Sequence, residues 1–358
     1  MPTAVLERTA AQLFMLGLPG PSLDARTRRF LDRYPAGGFI LFKRNARSAT
    51  QLRRLVAALH ETGPGVRPLV AIDHEGGRVH RLPRPFTHFP PAFTVAAHGS
   101  PRLAEAMGRA MATELRAVGI DLDFAPVLDV WSNPRNRVIG DRAFGTAPGP
   151  AARLALAFAR GLARGGMLAC GKHFPGHGAT VGDSHFVLPV VRRSHRELAR
   201  IDLAPFARAA RAGLPAFMTA HVLYPALDRR RPATLSPRIC DDLLRRRLGF
   251  RGVLFSDDLE MNAIAGRMSP GRAAVEALGA GCDMLLVCQS LEVARQAIDG
   301  VVDAIACGRL APERVTTALA RIHALRTTVA RRRAADGARL AWPAHARLAR
   351  RLAARGAA

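Results

Sequence analysis

Lysine is nearly missing from this chain: Lys43 and Lys172 are the only two among 53 basic residues. A formal charge of +25 would suit a polyanion binder if the basic residues clustered in a reading motif, with aromatics to stack on bases. Tryptophan and tyrosine occur only twice each, no such motif appears, and the arginines are scattered through an alanine-rich background. That dispersal reads as codon bias and excludes nucleic acid as a partner. No uninterrupted apolar run is long enough to cross a bilayer, which argues against a membrane protein. Glu7 precedes Leu13-Phe14-Met15-Leu16, an arrangement that suits a first strand better than a secretory segment, so a cytoplasmic protein is expected. The five cysteines, Cys170, Cys240, Cys282, Cys288 and Cys307, include no C-x-x-C pair, and an odd number cannot close into a complete internal disulfide set. Reduced thiols follow, mostly as small buried apolar groups.

What is present is an alternation. Eight short apolar segments, at 13–18, 38–42, 69–73, 122–125, 167–172, 216–221, 253–257 and 283–287, recur with helical stretches between them. Their nearly continuous apolar character is that of strands covered on both faces. Helix signals fill the gaps. Ser100-Pro101, Ser236-Pro237 and Ser269-Pro270 each place a hydroxyl before a proline, with Gly119, Gly249 and Gly279 as stops. Ser194 and Glu197 form a capping-box pattern, and Pro205 should break or kink the helix after it. Val315, Leu319, Ile322, Leu325 and Val329 mark a last covering helix. The fold class expected is α/β, a single-domain (β/α)8 TIM-type barrel over residues 1–330, with an open doubly wound sheet as the alternative. Residues 331–358, rich in Arg and Ala, read either as a helix lying on the barrel or as a loose basic tail.

In a barrel of this kind chemistry gathers where strands end. Two polar clusters follow apolar runs: Lys172-His173-Phe174-Pro175-Gly176-His177-Gly178 with Asp183-Ser184-His185, and Ser256-Asp257-Asp258 with Glu260. Asp73, Lys172, His221 and Asp257 should therefore converge at one mouth, with Arg142 and the loop bearing Asp183 and His185 folding over it. A retaining glycosidase needs a nucleophilic carboxylate facing a proton donor across the anomeric carbon. Asp257, on a rigid strand end, is the candidate nucleophile. Asp258 competes, and alternation along an extended segment implies that only one of the two faces the mouth. His185 is the candidate acid/base, because imidazole titrates near neutrality and Asp183 can orient it. Gly176, Gly178 and Gly182 leave the loop free to move.

The same loop allows other readings. A strand-end Asp often bridges to an Arg or caps a helix, and His173 and His177 can serve the loop's own carbonyls. His173, His177, Asp183 and His185 are competent zinc ligands, but a Gly/Pro-rich loop lacks the spacing of strong zinc sites, so no metal is expected. His60, His80, His88, His98, His195, His323 and His345 read as surface or loop residues without identifiable partners.

Further motifs, Gly37-Gly38-Phe39-Ile40-Leu41-Phe42-Lys43-Arg44-Asn45, Ile72-Asp73-His74-Glu75-Gly76-Gly77-Arg78-Val79, Asp123-Phe124-Ala125-Pro126-Val127-Leu128-Asp129-Val130 and Ile139-Gly140-Asp141-Arg142-Ala143-Phe144, together with both clusters, give the chain a clear likeness. It resembles the single-domain β-N-acetylglucosaminidases (β-hexosaminidases) of glycoside hydrolase family 3, of the NagZ type. The resemblance implies Asp257 as nucleophile, His185 as acid/base and Asp183 as its partner. It implies Asp73, Arg81, Arg142, Lys172 and His173 as sugar-binding residues, and no cofactor or metal. It further implies removal of non-reducing N-acetylglucosamine from β-1,4-linked peptidoglycan fragments, with or without peptide, in cell-wall recycling by a cytoplasmic monomer. The alternatives within the family are a phosphorylase and a broader β-hexosidase. His74 stands where many members carry Gln, and the acid-bearing second domain of larger relatives is expected to be absent.

Overall fold

A computed structural model describes residues 3–63, 65–184, 186–330 and 342–354. Eight parallel strands close into one barrel in chain order: β1 Phe14–Gly17, β2 Gly38–Leu41, β3 Leu69–Ile72, β4 Leu122–Asp123, β5 Leu168–Phe174, β6 Ala216–Thr219, β7 Val253–Asp258 and β8 Met284–Val287. Closure is made where Phe14, Met15 and Leu16 of β1 pair with Leu285, Leu286 and Val287 of β8. All eight apolar segments of the sequence are strands, and the open-sheet alternative falls. Side chains, not solvent, fill the interior; Phe124 and Phe255, for instance, meet edge to face at 5.3 Å.

The strands end where the chemistry of the backbone changes. β4 stops two residues earlier than expected, and Pro126 beyond it has no N–H to lend a ladder. β5 runs on through His173 to Phe174, and β6 stops before His221. Two of the expected caps hold: Ser100 Oγ accepts from Leu103 N–H, and Ser194 and Glu197 bond reciprocally. Ser269 sits at its helix start without a side-chain cap bond, and the Ser236 hydroxyl donates to Asp228 instead. Pro205 acts through a π-helical turn, Leu198–Asp202, placed just ahead of it, after which α-helix resumes over Leu203–Arg211. Gly279 is not a stop. The helix Pro270–Ala280 continues past it and ends at Gly281, whose φ of 123° suits a residue without Cβ.

The last covering helix is Pro312–Ala330, and Val315, Ile322, Leu325 and Val329 are buried. Beyond it, Pro343–Ala353 is a helix packed on Pro101–Arg116 and Ala92–Ala96, with Ala349 and Leu352 buried. The rest of the Arg/Ala-rich segment, 331–341 and 355–358, lies outside the described residues.

Several histidines set aside as partnerless are structural. His60 lies 2.9 Å from Asp121, His345 2.8 Å from Glu114, and His98 2.9 Å from the carbonyl of Leu352. His80 is buried between the rings of His74 and His88, at 4.2 and 3.7 Å. At the base of the barrel, Asp121 gathers Arg67, Arg116 and His60, and Asp283 gathers Arg245, Arg314 and Arg321. Each carboxylate also takes a strand N–H, from Val70 and Leu254 respectively. Part of the arginine surplus thus pins strand ends.

Candidate active site

A cavity of about 280 Å³ opens at the C-terminal ends of the strands, bounded by Asp73 after β3, Lys172 and His173 of β5, and Asp257 of β7, with Arg81 and Arg142 from neighbouring loops. These six expected site residues are therefore brought together. His221 does not line the cavity, being fully buried with its Nδ1 2.7 Å from Thr234 Oγ1 and its Nε2 2.9 Å from the carbonyl of Asp258, but it lies near enough to Asp257 to act on its charge.

The strongest organiser is a residue whose motif was legible but whose role was not. Glu75 accepts two hydrogen bonds from Arg142, Nε and Nη2 each at 2.8 Å, and a third contact from Lys172 Nζ at 2.6 Å. Lys172 in turn donates to Asp73 Oδ1 at 2.5 Å. Burial would raise the Glu75 carboxyl, but Arg142 and Lys172 outweigh it and hold the group well below its ordinary value. Burial would likewise discharge Lys172, yet Asp73 and Glu75 keep its ammonium ionised. A charged, two-carboxylate, two-cation lattice thus floors the cavity. Arg81 adds a guanidinium whose Nε is buried without a partner among the described residues.

Asp129 is the second residue missed. Fully buried, it accepts the N–H of His173 at 3.1 Å and of His177 at 2.7 Å, and its other oxygen lies 2.7 Å from His173 Nδ1. One carboxylate so fixes the start of the loop after β5 and the tautomer of His173. His177 Nδ1 faces Thr180 Oγ1 at 2.9 Å, and burial followed by the neighbouring His173 pushes its imidazole down to about 4. Gly178 passes so close to the carbonyl of Val130 that any Cβ would collide with it.

Asp257 and Asp258 both line the cavity, contrary to the strict alternation expected, because the register shifts between Phe255 and Asp258 at the end of β7. Their carboxyls shift in opposite directions. Burial raises the Asp257 carboxyl, but His221, His173, the Asp258 N–H and Lys172 more than compensate and leave it below its ordinary value. Burial dominates at Asp258 and pushes it up to about 7. Asp258 is also tied back, accepting from the N–H groups of Glu260 and Cys288 at 3.1 and 3.2 Å.

His185 lies outside the described residues. Its neighbours do not. Ser184 lines the cavity, its Oγ 3.5 Å from His177 Nε2, and its carbonyl accepts from Ala263 N–H at 3.2 Å. The carbonyl of Phe186 accepts from Asn262 Nδ2 at 2.7 Å. Asp183 is half-buried, and its carbonyl accepts from the N–H groups of Phe186 and Val187, both at 3.0 Å. The loop is thus docked on both sides of position 185 against the segment that follows Asp257 on β7. Val190 bridges to Leu223 where the loop leaves the mouth.

Carboxylates and cations around a cavity on the catalytic face of such a barrel suit the chemistry of a (β/α)8 glycoside hydrolase. Residues 5–325 match the family described as Glycosyl hydrolase family 3 N terminal domain, and the chain belongs to that family. A β-hexosaminidase of Methylococcus capsulatus is 47% identical over 290 residues, covering 80% of this chain and 86% of its own. One from Pseudomonas aeruginosa is 46% identical over 288 residues, covering 79% and 84%. Among solved structures, NagZ from Neisseria gonorrhoeae in complex with N-trifluoroacetyl-D-glucosamine superposes with a TM-score of 0.80 at 36% identity, covering 96% of this chain and 97% of that one. A family 3 β-N-acetylglucosaminidase from a Paenibacillus species gives 0.92 at 37% identity, covering 97% and 68%. Among the described residues, no helix is long and apolar enough to cross a membrane.

Proposed function

We propose that the protein is a retaining exo-β-N-acetylglucosaminidase acting on β-1,4-linked peptidoglycan fragments, N-acetylglucosaminyl-anhydro-N-acetylmuramic acid with or without peptide, as a cytoplasmic monomer in cell-wall recycling. The similarity to β-hexosaminidases supports the reaction class. The observation that carries the mechanism is the meeting of an ionised Asp257 with the Asp73, Lys172, Glu75 and Arg142 lattice in one cavity, beside a loop docked on either side of position 185.

In this reading Asp73, Arg81, Arg142, Lys172 and His173 clasp the hydroxyls of the terminal sugar, fixing its orientation through charge-assisted bonds. Asp257 attacks the anomeric carbon as the bond to the leaving oxygen breaks, and His185, oriented by Asp183, gives that oxygen its proton. Water then attacks the glycosyl ester, His185 takes its proton, and Asp257 is released; two inversions give net retention. His177, held near 4, is neutral at pH 7 and has no proton of the right acidity to give. Asp258 has one, but it grows from the same strand end as Asp257 and so does not flank the sugar from the opposite face.

The test is hydrolysis of an aryl β-N-acetylglucosaminide and of the muramyl disaccharide by wild type, with the anomer of the first product read by NMR. A β product that is free sugar supports the reading. An α product, or sugar-1-phosphate formed in phosphate buffer, contradicts it.

A further inference from the structure

We propose that Phe186 is the platform on which the leaving-group sugar rests, so that the enzyme favours pyranosyl over small alkyl leaving groups; this rests on the glycosidase reading above. Of sixteen phenylalanines only Phe93 and Phe186 are exposed, and Phe93 leans on the edge of Trp131 at 5.2 Å. Phe186 is 72% exposed, and no ring contact engages it among the described residues. It is not alone. Val181 and Val187 are 61% and 53% exposed, so among the described residues three of the five large exposed apolar side chains stand on one loop of seven residues. Isolated exposure needs no explanation, but such a concentration beside a cavity marks a contact surface.

The placement of that loop selects the occupant. Phe186 is held at both backbone groups, its N–H by the Asp183 carbonyl at 3.0 Å and its own carbonyl by Asn262 Nδ2 at 2.7 Å. Two residues before it, Ser184 lines the cavity, and one residue before Asn262, Met261 does too. The backbone of Phe186 is therefore fixed beside residues of the rim. At about 280 Å³ the cavity lies just below the roughly 300–1,000 Å³ of sites that take drug-sized ligands, which is room for one sugar ring. The second ring of a disaccharide must cross the rim. In a leaving sugar with the ordinary chair and equatorial hydroxyls, such as the reducing N-acetylglucosamine of chitobiose, one face is a patch of axial C–H groups that matches an aromatic face.

The experiment compares kcat/KM for N,N′-diacetylchitobiose and methyl β-N-acetylglucosaminide in wild type, Phe186→Ala and Phe186→Trp. Both leaving groups are alcohols that need protonation, so any disturbance of the adjacent His185 lowers both rates together. Phe186→Ala is expected to lower the disaccharide-to-methyl ratio about tenfold, chiefly through KM, as the loss of one aromatic contact implies. Phe186→Trp should restore that ratio to within about twofold. An unchanged ratio in Phe186→Ala, whether both rates fall or neither does, overturns the platform. If wild type turns over neither substrate, the glycosidase reading itself fails and the platform with it.

Discussion

Glu75 holds Arg142 through both carboxylate oxygens, Nε and Nη2 each at 2.8 Å, while Lys172 reaches the same carboxylate at 2.6 Å. Two of the cations proposed to grip the sugar are thus aimed by a group that need not touch it.

Glu75→Gln should leave Lys172 and Arg142 under-compensated and misaimed. The expected result is a loss of about a hundredfold in kcat/KM, most of it in KM, with a stability loss of about 3 kcal/mol in urea unfolding. The pH dependence has a definite sign. The folded carboxyl lies below the ordinary 4.5, so its contribution is present in full above that value and disappears only as pH falls through the lower, folded one. Stability curves of wild type and variant should therefore converge only in strong acid; a constant gap down to the acid transition would argue against the ion pairs.

Asp257→Ala is expected to lose about ten-thousandfold or more on every glycoside, since no covalent ester can form. His185→Ala should lose much less on a nitrophenyl glycoside, whose leaving group departs unprotonated, than on a disaccharide. Equal losses on the two substrates in steady-state assays would move the acid role elsewhere.

Asp258→Asn separates burial from catalysis. The folded carboxyl is pushed up to about 7 from the ordinary 3.8, so wild type loses stability as pH rises between those values, where the unfolded chain ionises while the buried group keeps its proton. The Asn variant, uncharged throughout, should gain relative to wild type from pH 4 to pH 8 in thermal melts. It should also keep turnover within about tenfold on both substrate types, because the proton donor is elsewhere. A disaccharide-selective loss would instead make Asp258 the acid.

Asp283→Asn tests the base of the barrel, far from the mouth. Arg245, Arg314 and Arg321 surround this fully buried carboxylate at 2.5, 2.8 and 3.0 Å. Removing its charge should cost about 3 kcal/mol, as breaking buried pairs does, while kcat/KM of the folded fraction stays unchanged. Denaturant midpoints and assays at low temperature distinguish the two effects.

The eight strands were legible because a strand covered on both faces needs an unbroken apolar run, and only eight such runs end in turn chemistry. The starts at Ser100 and Ser194 were legible for a local reason, a hydroxyl that meets the N–H three residues on, whereas the hydroxyls of Ser236 and Ser269 do not serve that way. Gly279 misled because glycine alone does not end a helix; the positive φ at Gly281 does, and that angle is not written in the residue type. His60, His98 and His345 misled because their partners lie 61, 254 and 231 residues away along the chain.

The sequence by itself determined the barrel and several of the charged residues at its mouth, Asp73, Lys172 and Asp257 among them, since periodicity and strand-end position are local properties of the chain. Only the tertiary structure decided how those residues serve one another. Glu75 became the holder of Lys172 and Arg142, Asp129 the anchor of His173 and His177, and the bulge at the end of β7 turned Asp257 and Asp258 to the same cavity with their carboxyls shifted in opposite directions. The physical reason is that charge state and aim depend on burial and on distances of a few ångströms between segments remote in sequence, and those arise only when the barrel closes.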